Sequence, residues 1–252
     1  IGAFVVLQEL SFIGDALAHA AFPGVVIASL LGFNIALGGA VFGIATALGV
    51  GWITRRSKVS LDTAIGVLFA GMFALGIFLL SLQRGYVKEL FGLLLGDVLA
   101  VRSTDLWIIV VVGGMILLIV AALYKELVLM TFDPIAAQAQ GLPTGFLHYL
   151  LLCLMAITVV ISIQSVGIVL VVAMIVTPAA TASLVVRRFG SMILWGALQS
   201  AIAAIIGIYV SAYIEGVPTG SSIVLAQTAM FLLVLVFSPR QHVLGSLLRR
   251  KS

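Results

Sequence analysis

YLLLCLMAITVVISIQSVGIVLVVAMIVTPAATASLVV, residues 149–186, is a run of 38 residues without one charge. As a single α-helix it would be about 57 Å long at ~1.5 Å per residue. A bilayer's hydrocarbon core is only ~30 Å thick. The run must therefore fold into two crossings, and the break is placed at IQSVG, residues 163–167.

Six further apolar segments of spanning length lie at 14–33, 35–54, 63–82, 106–123, 190–214 and 217–238. With the double segment they predict eight crossings. IGAFVVL, residues 1–7, is too short to span, since a crossing takes about 20 residues. It reads as the tail of a helix whose beginning is missing, or as a short membrane-surface anchor.

Composition agrees with this reading. The chain is 63% hydrophobic with a mean hydropathy of +1.31, and only 9% of its residues are charged. A soluble domain has roughly 25% charged residues, so this surface cannot face water all round. The expected class is an all-α polytopic membrane protein, organised as one transmembrane unit over 1–252. The net charge of +4 does not point to nucleic acid, because basic residues at loop ends fix membrane topology. The single cysteine, Cys153, excludes an internal disulfide.

The basic residues test the crossing count. Arg55, Arg56, Lys58, Lys125, Arg187, Arg188, Arg240, Arg249, Arg250 and Lys251 fall on one side if the long run is two crossings. Arg84, Lys88 and Arg102 fall on the other, among Glu89, Asp97 and Asp105. Ten against three is a positive-inside pattern that predicts a cytoplasmic C-terminus. KELFGLLLGDVLAV, residues 88–101, then lies outside. It is apolar yet too short to cross, and reads as a re-entrant or interfacial helix.

The inner loop YKELVLMTFDPIAAQAQGLPTGF, residues 124–146, holds a punctuated short helix. Asp133 is a good N-cap, and Pro134 suits the first helical position. Gly141 can end the helix and Pro143 prevents its continuation. Two turns are not stable alone in water, so the segment needs a surface. Either it lies on its own membrane domain, or it docks into a cytosolic partner through Phe132, Ile135 and its small alanines.

GDALAHAAFPG, residues 14–24, places Asp15 and His19 on one helix face near a membrane boundary. Ionisable groups at that depth are functional hypotheses by default. Asp15 could cap the helix, His19 could simply pair with Asp15, or the two could hold a cation. A carboxylate with an imidazole suits first-row divalent metals. Two side chains do not complete a site, so water, backbone oxygens or a second copy must supply the rest. Pro23, and Pro178 in TPAATA, are expected to kink the helices that carry them. The chain has no GxxxxGK[ST], no HExxH and no GxSxG, which excludes its own phosphate-binding loop and two hydrolase chemistries. His148 and His242 read as interfacial, and Glu215 as a solvated loop carboxylate.

LSFIGDALAHAAFPGV, TFDPIAAQAQGLP, LHYLLL and VGIVLVVAMIVTPAATASLV occur here in that order. Together they resemble the ABC-3 family of membrane permeases, the zinc, manganese and iron uptake permeases of bacterial ABC importers. The resemblance runs from about residue 4 to residue 239. It implies a type II importer permease-like helical bundle in the bacterial cytoplasmic membrane. It also implies a second permease copy, cytosolic ATP-binding subunits and an extracytoplasmic metal-binding protein. The cargo implied is Zn²⁺, Mn²⁺ or Fe²⁺, with no permanently bound cofactor and no catalytic residue in this chain. By the resemblance, Asp15 and His19 hold the metal in the membrane path. Phe132, Asp133, Pro134 and Gly141 carry the segment that couples to the ATPase. The chain departs from the family at Gln8 and Glu9, where basic residues are usual, and most of the family's first helix has no counterpart. An ion-gradient transporter acting alone, and a permease for siderophore, haem or cobalamin, are the alternatives. An intramembrane metalloenzyme is disfavoured, since no second histidine lies in the apolar core.

Overall fold

In a computed structural model of the chain, the long uncharged run is two helices. The structure describes residues 1–82, 101, 103–214 and 217–237. The first helix of the pair ends at Val166, and Gly167 follows with φ 79° and ψ 164°. Only glycine visits that region readily, because a Cβ would clash there. The break therefore falls inside the expected 163–167, at the one residue able to make it without strain.

The helices in chain order are α1 (Gly2–Leu7), α2 (Ile13–Ala20), α3 (Phe22–Leu31), α4 (Ile35–Arg56), α5 (Leu61–Ser81) and α6 (Ser103–Ala122). They continue as α7 (Tyr124–Phe132), α8 (Pro134–Ala139), α9 (Thr144–Val166), α10 (Ile168–Val185), α11 (Phe189–Tyr213) and α12 (Thr219–Phe237). Taking α2 with α3 as one crossing, eight spans among the described residues are long and apolar enough to cross a membrane, as expected. The described residues contain no strand. The expected helix over 88–101 lies outside the described residues apart from Val101. So do Arg84, Lys88, Arg102, Glu215 and the basic tail with His242.

One compact unit takes Ile1 and Leu10–Ile168, the other Gly2–Glu9 and Val169–Ser252. In the first, α4 packs against both α3 and α9. Glycines make this possible. A Cβ at Gly24 would collide with the carbonyl oxygen of Gly38, so α3 and α4 touch backbone to backbone. Gly39 and Gly43 lie under Val160, and Gly51 lies under the ring of Tyr149. Small residues permit such approach where lipid supplies no hydrophobic drive. Leu10, Ile13, Leu17, Val26, Val50, Leu151, Leu152 and Met155 are fully buried between these helices. On α6, by contrast, Leu106, Trp107, Val110, Met115, Leu117 and Leu118 are all exposed. An apolar helix bare on most sides suits lipid rather than water.

In the second unit, Gly207 of α11 seats against the backbone of Ile223 on α12. The Ser211 hydroxyl donates to the carbonyl of Val217 at 2.8 Å and lies 3.0 Å from the Thr219 hydroxyl, which ties the α11–α12 connection. Gln199 Nε2 donates to Thr181 Oγ1 at 3.1 Å, and the fully buried Gln227 donates to Met174 Sδ at 2.7 Å. The assigned helix α10 runs unbroken through Pro178, while Gly196 of α11 faces the Pro178 carbonyl.

Candidate metal centre and partner-docking segment

Helix α2 carries the ionisable pair. Its cap position is Phe12, which has no side-chain oxygen to offer. Asp15 lies in the first turn rather than at the cap, where its charge also suits the helix dipole. The Asp15 Oδ1 and His19 Nε2 atoms are 3.6 Å apart, with side-chain exposures of 47% and 24%. That is long for a hydrogen bond. Two ligand atoms each ~2.1 Å from a shared ion stand roughly 3.0–3.6 Å apart at angles of about 90–120°. The spacing suits a cation shared between them.

Aromatic rings of α5 fix the imidazole. Phe69 and Phe73 meet it edge-on, with centroids 5.4 and 5.0 Å from its own. Its Nδ1 is shielded from solvent and makes no hydrogen bond among the described residues. Metal-ligating histidines usually donate this second N–H to a carboxylate or carbonyl, which raises their basicity. Among the described residues nothing takes that place beside His19.

Pro23 sits one turn beyond His19. Proline has no N–H for the carbonyl four residues earlier, which here is that of His19, and its ring crowds that oxygen. The chain accordingly breaks at Ala21, and α3 restarts with Pro23 in its first turn.

A cavity of about 320 Å³ opens beside Asp15, lined by Phe12, Ala16, Asp62, Ile65, Gly66 and Phe69. Asp62 was not legible as a site residue. In sequence it is an acidic residue in the first turn of a helix capped by Ser60, where it suits the helix dipole. Its place beside Asp15 depends on α2 lying against α5, which spacing along the chain does not reveal. Among the described residues, no three His, Cys, Asp or Glu side chains converge on one metal position. The pair is half a site.

The second feature is the segment around α8. Asp133 Oδ1 accepts from Ala136 N at 2.8 Å, and Pro134 opens the helix. At the other end Gly141 takes φ 78°. Gly141 N donates to Gln138 O at 2.9 Å and Leu142 N to Ala137 O at 3.1 Å, the paired bonds of a Schellman ending. Both ends are thus closed by their own residues. Phe132 is 59% exposed and Ile135 79%, so the segment offers apolar surface outward.

The ABC 3 transport family matches residues 1–238. The manganese transport system membrane protein MntC of Listeria innocua is 44% identical over 98% of this chain and 87% of its own length. The chelated iron transport system membrane protein YfeD of Yersinia pestis is 38% identical over 94% of this chain and 80% of its own. Among solved structures, PsaBC from Streptococcus pneumoniae in complex with Fab superposes with a TM-score of 0.84 at 39% identity. That match covers 97% of this chain and 87% of the solved one. In sequence along nearly its whole length, and in the order of its helices, the chain belongs to the ABC 3 transport family.

Proposed function

We propose that this chain is the permease subunit of a bacterial metal importer in the cytoplasmic membrane, and that its cargo is a bare divalent ion, Mn²⁺ foremost and Fe²⁺ next. The observation that carries the reading is the Asp15–His19 pair, 3.6 Å apart, with Asp15 lining a cavity. Manganese is a hard ion that favours carboxylate oxygen and accepts imidazole. The name of MntC, a manganese transport protein, points the same way, while that of YfeD speaks of chelated iron. A bulky chelate needs no such pair.

An extracytoplasmic binding protein releases the ion into a path shared with a second permease copy, which completes the ligand set. Asp15 and His19 hold the ion briefly, and it leaves through the cavity past Asp62. Cytosolic ATPase subunits grip the α8 segment through Phe132 and Ile135, with Asp133, Pro134 and Gly141 keeping the segment folded. The basic residues at 55–58 and 187–188 support a cytoplasmic side for α8 and the C-terminus. Directionality requires that the two states of the transporter differ in their affinity for the ion.

The test is uptake of radioactive Mn²⁺ by cells expressing the whole transporter. Asp15→Asn and His19→Ala should each lower uptake more than tenfold at equal membrane levels. Wild-type uptake in both variants would remove the site.

A further inference from the structure

We propose that Arg55 is the positioning residue through which motion of α8 reaches the helices that carry Asp15 and His19. The proposal rests on the reading of α8 as the ATPase-docking segment.

Only Gly141, Leu142 and Pro143 separate the end cap of α8 at Gln140 from Thr144, the first residue of α9. The Schellman bonds fix the near end of that link, and Gln138 Nε2 donates to Thr144 Oγ1 at 3.3 Å across it. A push on α8 is therefore delivered to the first turn of α9. Arg55 meets that turn. A Cβ at Gly145 would overlap the guanidinium, so the group occupies the space a side chain there would fill. One turn on, the guanidinium stands 5.6 Å from the centre of the Tyr149 ring, within cation–π range. Tyr149 in turn presses into Gly51, one turn before Arg55 on α4. The ring is clamped by two residues of α4, and the guanidinium by two of α9.

No carboxylate pairs with Arg55 among the described residues. Arg55 is exposed, and its guanidinium meets α9 at Gly145 and Tyr149. From this joint α4 runs to Gly38, which touches Gly24 of α3 backbone to backbone. α3 follows α2 across the break before Pro23. At Gly38 and Gly24 no side chain stands between the helices to take up a shift. If Arg55 served only to fix topology, any cation would do. Reaching Gly145 and Tyr149 with one planar group suits the guanidinium, which lysine cannot reproduce.

The experiment measures ATP hydrolysis and Mn²⁺ uptake on the same proteoliposomes of the assembled transporter. Arg55→Lys should lower the metal moved per ATP at least threefold while hydrolysis stays within twofold of wild type. Gly145→Ala, which pushes the guanidinium off from the other side, should do the same. The double variant should be no worse than either single one, because both break one contact. An unchanged ratio in both singles, or losses that multiply in the double, would overturn the proposal. Ile135→Asp separates this from the reading beneath it. If it leaves ATPase binding and hydrolysis untouched, the docking role of α8 fails. If it releases the ATPase while Arg55→Lys and Gly145→Ala keep the ratio, only the role of Arg55 fails.

Discussion

Among the described residues, His19 is flanked by two phenylalanine rings and has Asp15 beside it, with no hydrogen bond to its Nδ1. That arrangement orients the ring, and on the proposed reading leaves it a weak ligand. Asp62 enters at the same scale. It shares the cavity with Asp15, and on the proposed path it is the next carboxylate an outgoing ion meets. Asp62→Asn should lower the maximal rate of Mn²⁺ uptake severalfold with little change in half-saturating concentration, and Asp62→Glu should restore much of it. A helix-stabilising role would predict something else: a small loss of stability, of order 0.3–1 kcal/mol from the helix dipole, and an unchanged rate. The pair on α2 was legible because both residues lie on one helix, where 3.6 residues per turn fixes who faces whom. Asp62 was not, because its proximity is a packing fact between helices far apart in sequence.

Helices that touch through bare backbone carry different consequences from helices with spare room. At Gly24 a Cβ would meet the Gly38 carbonyl, whereas at Gly71 it would meet nothing within contact distance. Gly24→Ala should therefore destabilise the chain by about 1–3 kcal/mol, the usual range for overpacking. Gly71→Ala should be neutral or stabilise by up to about 1 kcal/mol, since alanine is the better helix former. Thermal denaturation of the purified protein in detergent, run on both variants, reads the contrast directly. At this scale sequence reasoning did well where a residue's own chemistry decides. Gly167 breaks the uncharged run, and Asp133 with Gly141 closes α8 at both ends, all from local rules. The two prolines differ in setting: Pro23 sits at a helix break, while α10 continues through Pro178. Around Pro178, Gly196 of α11 lies against its carbonyl and Thr181 bonds back to the Thr177 carbonyl at 2.8 Å. Such neighbours hold a helix together through a proline, and they are invisible along the chain.

At the level of the whole molecule the question is what drives the ion. The chain contains no phosphate-binding loop of its own, and the described residues offer one close Asp–His pair. A gradient-driven carrier needs a second ion or proton whose binding is linked to that of the cargo. An ATP-driven permease needs a partner and a surface for it. On the proposed reading the exposed Ile135, on a helix capped at both ends, is that surface. Two consequences follow for proteoliposomes holding the assembled transporter. Ionophores that collapse proton and sodium gradients should leave Mn²⁺ uptake unchanged, and replacing ATP with a non-hydrolysable analogue should stop it. The reverse pattern would assign the work to a gradient and leave α8 without its role. The permease alone should show no ATP hydrolysis at all. Adding its partner subunits should produce a basal rate, which delivery of Mn²⁺ by the binding protein then raises. That rise should be lost when Asp133→Ala removes the cap of α8. The lost cap bond is worth ~1 kcal/mol, which is enough to fray a two-turn helix and too little to unfold eight membrane spans.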